Sequence, residues 1–262
     1  MTIYDAERAI AHLNQTEDLS LRYYAAWWLG KFRVTDPKAI AALLTALEDE
    51  ADRSPDGGYP LRRNAARALG KLGDKQAVSL LIENLNCSDY YVREASAQAL
   101  EEIGDPKAIP PLRELLAGGV EAAQSVAGKP HLVQPYEAII EALGTLGAME
   151  VKAEIEPFLD HPVAKVQFAT ARALYQLTKD EKYGKQLIDG LRAEKLPLRR
   201  SALMDLGATD YLPAASAIAQ SPTENSLKLI ALKGILENHL KHPDQELSED
   251  AVQLLTLMDS LL

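Results

Sequence analysis

Leu61-Arg62-Arg63-Asn64-Ala65-Ala66-Arg67-Ala68-Leu69-Gly70 is the stretch whose reading decides the fold. Leu61, Ala65, Ala68 and Leu69 recur at steps of three and four, which puts small residues and leucine on one stripe of a helix. The pattern returns on both sides. Upstream it reads Leu21-Arg22-Tyr23-Tyr24-Ala25-Ala26-Trp27-Trp28-Leu29-Gly30. Downstream it reappears at 92–100, 136–144, 166–174 and 198–207, with a worn copy at 227–235. The equivalent leucines Leu29, Leu69, Leu100, Leu143, Leu174 and Leu206 are 40, 31, 43, 31 and 32 residues apart. A unit of about 31 residues therefore runs through the chain, lengthened twice by insertions.

Each unit reads as two helices. The second opens with Asp36-Pro37-Lys38-Ala39-Ile40 or Asp105-Pro106-Lys107-Ala108-Ile109. Aspartate suits the N-cap because its carboxylate accepts the free N–H groups of the first turn. Proline suits the next position because it has no N–H to leave unbonded and its φ already fits. Ile40, Leu43, Leu44 and Leu47 then carry the spacing of one buried stripe. A helix pair that hides its open face only against the next pair predicts an all-α fold, a curved α-solenoid over 1–262 in six to seven pairs. Capping helices are expected at both ends, from Thr2 and Asp5 to about Leu13 and from Ser248 to Leu261. The insertions fall at 48–60 and 117–134, in connecting loops that in such arrays often lie at a binding edge.

Composition narrows the function. The formal charge is -10, which argues against nucleic acid, whose binding rests on Lys and Arg neutralising phosphates. No run approaches the roughly 18 apolar residues of a membrane span, and no signal segment is evident in 1–14. One cysteine, Cys87, excludes an internal disulfide framework and suits a reducing cytosol. A cytoplasmic protein is expected.

Catalytic constellations are scarce. His239 and His242 are three apart but have no third ligand nearby, so no metal is expected. Cys87 follows a helix C-terminus, which disfavours the thiolate. Neither a phosphate loop nor a serine elbow is present, and spacing alone assigns no catalytic residue. The arginines at 22, 62, 93 and 199 hold one place in the repeat and read first as structural, with Asp18 and Asp89 as partners for Arg22 and Arg93.

The copy at 21–30 departs most from the rest. Trp28 stands where Ala68, Ala99, Ala142 and Ala173 stand, and Tyr24 where Asn64, Ala95, Ala138 and Ala169 stand. Tyr23 and Trp27 align with Arg63 and Arg67, a position type that should be exposed. Two explanations stay open. The rings fill space against the N-terminal helix, or they present a flat apolar surface to a ligand or partner. Tyr59, Tyr90 and Tyr91 lie just ahead of their helices, where with Arg62, Arg63, Arg67 and Arg93 they would line one edge with rings and guanidinium forks.

The Ala-Leu-Gly-Lys-Leu-Gly-Asp run at 68–74 and the Asp-Pro-Lys-Ala-Ile starts resemble the HEAT-like repeats of phycobilisome lyases. The aromatic run at 21–30, followed by 57–70, is similar to the E-type subunits of the heterodimeric lyases that act on the phycocyanin α chain. That resemblance implies a cyanobacterial subunit working with an F-type lyase subunit. The pair would attach phycocyanobilin through a thioether to a cysteine of the phycocyanin alpha chain, and would also remove or transfer it. The bilin is then substrate, and no cofactor is implied. On this reading Tyr23, Tyr24, Trp27 and Trp28 face the bilin or the F subunit. Arg22, Arg33, Arg62, Arg63 and Arg67 are candidates for its propionates, and Tyr59, Tyr90 and Tyr91 extend the set. A non-catalytic adaptor for phycobiliproteins is the alternative.

Overall fold

The computed structural model describes residues 4–241 and 248–262. The chain divides into two compact units at Leu146 and Gly147. The first holds α1 (Ala6–Asn14), α2 (Leu19–Lys31), α3 (Pro37–Leu47), α4 (Pro60–Leu72), α5 (Val78–Asn84), α6 (Tyr90–Ile103), α7 (Ile109–Glu114), α8 (Gly119–Ala122) and α9 (Tyr136–Thr145). The second holds α10 (Lys152–Ile155), α11 (Ala164–Thr178), α12 (Glu181–Gly190), α13 (Leu196–Gly207), α14 (Ala215–Gln220), α15 (Asn225–Leu240) and α16 (Glu249–Asp259). Among the described residues the one β feature is an isolated antiparallel bridge between Ser125 and Leu132. The fold is all-α, of the solenoid class.

Aspartates start the helices as their positions predict. Asp36 accepts from the Lys38 N–H at 2.7 Å ahead of Pro37, and Asp89 accepts from the Tyr91 N–H at 2.8 Å. Asp105 caps a 3-10 turn, Pro106–Ala108, that runs on into α7. Asp5 caps α1 and Ser248 caps α16; Thr2 lies outside the described residues.

In the first unit the repeat helices stack as α2 on α4, α4 on α6 and α6 on α9, while α3 and α5 form the second layer. Leu29, Leu69 and Leu100 are fully buried at the same register, each contributing about 2 kcal/mol of hydrophobic stabilisation. Small residues let the backbones close. A Cβ built on Gly30 would meet the Ala68 Cα at 2.7 Å, and one on Gly70 the Ala99 Cα at 2.8 Å. Position 68 is therefore small because its Cα and Cβ press on the preceding helix. In the second unit α11 packs on α13 and α13 on α15. Gly207 there meets Ala231 by the same rule.

The α3 stripe is buried at Ile40, Leu43 and Leu47, and Leu44 is half-buried. Both insertions appear as connections, one from α3 to α4 and one from α7 to α9 that includes α8 and the bridge. Among the described residues no helix is long and apolar enough to cross a membrane.

Candidate functional site

The recurring arginines have structural partners. Arg22 is buried. Its Nε donates to the Leu13 carbonyl at 3.2 Å and its Nη2 pairs with Asp49 at 2.7 Å. Burial alone would raise the Asp49 carboxyl, but the Asp52 N–H and the Arg22 guanidinium hold it below the usual carboxylate range. Arg62 donates to the Asp49 carbonyl at 2.6 Å and the Glu48 carbonyl at 3.0 Å. Arg93 binds the Cys87, Ser88 and Val133 carbonyls, and Arg199 those of Ala193 and Glu194.

The arginine is thus structural, as its fixed register suggests, but its partners are backbone carbonyls and, for Arg22, the Asp49 carboxylate, rather than Asp18 and Asp89. Those two aspartates are already spent on N–H groups at helix starts. Arg22 and Arg62 each use Nε and one Nη in their own bonds.

The remaining candidates fall into two groups. The first lies on α2. Trp28 is half-buried between Tyr4 and Phe32, with ring centroids at 5.4 and 4.7 Å. Tyr24 sits edge-on to Tyr4 at 5.3 Å and beside Trp27 at 5.5 Å. The Tyr4 hydroxyl reaches His12 Nδ1 at 3.2 Å and ties this cluster to α1. Packing against the opening helix therefore accounts for Trp28. It does not account for Tyr23, Tyr24 and Trp27, which stay 37%, 43% and 43% exposed. Phe32 adds a fourth open ring at 59%.

Between α2 and α4 runs a small groove of about 230 Å³ with Tyr23 and Trp27 on one lip and Arg67 and Lys71 on the other. Gly30, Asn64 and Ala68 form its floor, and Asn64 donates to the Tyr23 carbonyl at 3.2 Å. Arg33 donates to the carbonyl of Lys71, a residue of this groove, at 2.5 Å. Rings facing cations across a groove suit a flat conjugated anion or an apolar partner surface with an acidic rim.

The second group forms a larger cleft of about 570 Å³ between the two inserted loops. Tyr59 is held between Arg53 and Arg62, whose guanidinium carbons stand 3.9 and 4.4 Å from its ring centre. Tyr90 stacks on His131 at 4.1 Å with planes 12° apart, and Tyr91 meets both edge-on. Arg63 lies over Tyr91 at 5.8 Å. Burial, then Glu94 and Glu137, push the Tyr90 hydroxyl well above its ordinary value, so it remains a proton donor.

His131, Lys129, Arg53 and Tyr4 were not among the residues singled out by sequence. The first two come from an insertion whose path the repeat does not dictate. Their signal was the Lys129-Pro130-His131 run between glycine turns. Among the described residues no group of three His, Cys, Asp or Glu side chains is placed to hold a metal; His242 lies outside them.

Comparison with known proteins fits this geometry. The HEAT repeats family matches residues 55–127 and the PBS lyase HEAT-like repeat family matches residues 21–49. A phycocyanobilin lyase subunit alpha of Picosynechococcus sp. is 64% identical over 98% of this chain and 96% of its own length. The chain belongs to the phycocyanobilin lyase alpha-subunit family. A second member, from Synechocystis sp., is 63% identical over 99% of this chain and 97% of its own. The bilin biosynthesis protein PecE of Nostoc sp. is 44% identical over 99% and 97%. Among solved structures, the complex of CpcE and CpcF of phycocyanin lyase from Nostoc sp. PCC7120 matches with a TM-score of 0.92. Identity there is 58%, covering 100% of this chain and 96% of that one. The aromatic copy at 21–30 thus lies inside the segment that matches the PBS lyase HEAT-like repeat, and the HEAT repeats match begins beyond it.

Proposed function

We propose that this chain is one subunit of a heterodimeric lyase that joins phycocyanobilin to a cysteine of the phycocyanin alpha chain through a thioether. The observation that carries the reading is full-length identity above 60% to phycocyanobilin lyase alpha subunits, together with the match to the CpcE and CpcF complex. Its partners are then an F-type subunit, the apo-phycocyanin alpha chain and the bilin, and its place is the cytosol. Phycocyanobilin is substrate, and the chain needs no cofactor of its own.

The chemistry asks little of the chain. The acceptor brings the thiol, and the bilin's ethylidene carbon is already electrophilic. Sulfur bonds to that carbon while the tetrapyrrole takes up the proton. The subunit's task is to hold a long flexible molecule extended and to present it to the acceptor in register. Positioning of this kind supplies large effective concentrations without a covalent enzyme group. Tyr23 and Trp27 facing Arg67 and Lys71 form a surface suited to it, and the open rings of Tyr24 and Phe32 add exposed apolar area on the same chain segment.

The test is reconstitution. The chain, its second subunit, apo-phycocyanin alpha chain and phycocyanobilin are incubated, and the product is run denatured. A covalent red-absorbing adduct that needs both subunits is the expected result. A folded pair that binds apoprotein yet forms no adduct would leave only an adaptor.

A further inference from the structure

We propose that the cleft between the two inserted loops is a carboxylate site that receives the propionate side chains of a linear tetrapyrrole. The proposal rests on the reading of the chain as a bilin lyase subunit and adds a specific place for the anionic groups.

The cleft is of the right class. Its volume of about 570 Å³ falls within the range of small-molecule sites, roughly 300–1,000 Å³. It is also a built feature rather than a gap between slack loops. Arg93 clasps the second loop through the Val133 carbonyl at 2.9 Å and Gln134 Oε1 at 3.0 Å. Asp89 clasps the first, accepting from the Tyr59 N–H at 2.8 Å. Long insertions cost conformational entropy to order, and here both are ordered around the same space.

Two of its cations, Arg63 and Lys129, have no ion-pair partner among the described residues. The Arg63 Nε is buried with no hydrogen-bond acceptor, and no ion pair among the described residues uses Arg63 or Lys129. A buried charged donor left unbonded costs free energy, and an arriving carboxylate would relieve that cost. The acids nearby do not serve. Asp89 gives both oxygens to backbone N–H groups, and Asp56 bonds the Ser54 hydroxyl at 2.6 Å, feeling Lys129 and Arg63 only through space.

The rings decide between a flat pigment and a plain acidic peptide. Tyr90 and His131 are stacked, Tyr91 stands edge-on, and Tyr59 lies across the cleft. A chain carrying -10 overall gathers cations and aromatic faces here, and a pyrrole ring bearing a propionate presents the complement of both.

The experiment uses the full chain with its second subunit and two probes, phycocyanobilin and its dimethyl ester, titrated by the change in bilin absorbance. Wild type should prefer the diacid by tenfold or more. Arg63→Gln and Lys129→Gln should each weaken the diacid by about tenfold and leave the ester unchanged. The double variant should bind diacid and ester alike. Retention of the acid preference in the double variant overturns the proposal. So does unchanged bilin binding with loss of apoprotein binding, which would make the cleft a protein contact.

Among the described residues the Lys129 side chain makes no hydrogen bond or ion pair, its backbone N–H alone donating to the Val126 carbonyl, so its variant stays informative should Arg63→Gln unfold, and helicity is checked by circular dichroism. Adduct formation by wild type in the same assay separates the two readings. An adduct with an unaltered acid preference sinks the cleft alone. A cleft-dependent preference without any adduct sinks the lyase reading alone.

Discussion

Two helices of the first unit, α2 and α4, are copies of one sequence motif and are treated in opposite ways. α4 has a repeat helix on each side, and its position 68 must be alanine because the backbone of Gly30 presses on it. α2 has α4 on one side and only α1 with the Tyr4 ring on the other. The same register position there holds Trp28. What differs is the neighbour, and that explains Trp28 without appeal to function. It does not explain position 27, which faces the groove in both helices and is Trp in one and Arg in the other. The comparison separates a ring that closes the end of the stack from rings that remain open.

The largest effect should come from forcing α4 to look like α2. Ala68→Trp drives an indole into the Gly30 backbone and should cost 3 kcal/mol or more, read as a fall in the urea midpoint. The reverse change, Trp28→Ala, removes a half-buried ring and should cost about 2 kcal/mol. Equal costs would mean that the end of the stack is packed as tightly as its middle, contrary to the exposure of its rings.

The open rings are tested together. Tyr23→Ala with Trp27→Ala should change stability by less than about 1 kcal/mol while cutting adduct formation at least tenfold, about 1.4 kcal/mol in barrier. Unchanged bilin attachment would reduce the whole α2 face to end-packing.

This contrast also marks how much was legible beforehand. Periodicity, the Asp-Pro starts and the alanine stripe gave the solenoid, because each acts within one or two turns of helix. The two possible uses of the aromatic copy were visible as well, since alignment of the repeats exposes the departure. The arginine partners were not. Asp18 and Asp89 stand at the right spacing, but N-capping claims their oxygens first, and the groups that replace them, such as the Asp49 carboxylate and the Cys87 carbonyl, sit where no short-range pattern sets them. His131 escaped for the same reason.

The aligned arginines sharpen the comparison further. Arg22 from α2 and Arg62 from α4 both clamp the start of the first insertion, Arg22 at the Asp49 carboxylate and Arg62 at its carbonyl. Only the first is a desolvated ion pair. Asp49→Asn leaves Arg22 buried and unpaired and should cost about 2 kcal/mol at pH 7. The Asp49 carboxyl is held low in the fold, so its contribution is full above the ordinary value of 3.8 and disappears as pH falls through the lower folded value. Wild type and Asp49→Asn should therefore converge in stability below pH 3.8. Asp52, pushed up by burial and then by Asp49, acts in the opposite sense just above that pH and flattens the upper part of the curve. A difference that persists to pH 2 would place the value of Asp49 in its shape rather than its charge.

The smallest expected effect lies at the helix ends. α4 and α6 finish on Gly73 and Gly104, at φ of 68° and 72°, whereas the matching residue of α2 is Arg33 at φ 51°. A side chain in that left-handed region costs about 1 kcal/mol, so Arg33→Gly should relieve strain. It also frees the unfolded chain and forfeits the bond to the Lys71 carbonyl, two losses that together roughly cancel the gain. The unfolding midpoint should then barely move, within about 0.5 kcal/mol. A near-neutral exchange makes the position readable for function. If the Arg33 guanidinium, bonded to the Lys71 carbonyl, contributes to holding the bilin, adduct formation should fall by about threefold at unchanged stability. If the rate holds as well, Arg33 is a glycine substitute that caps α4 from a neighbouring helix, and the asymmetry between α2 and α4 reduces to their rings.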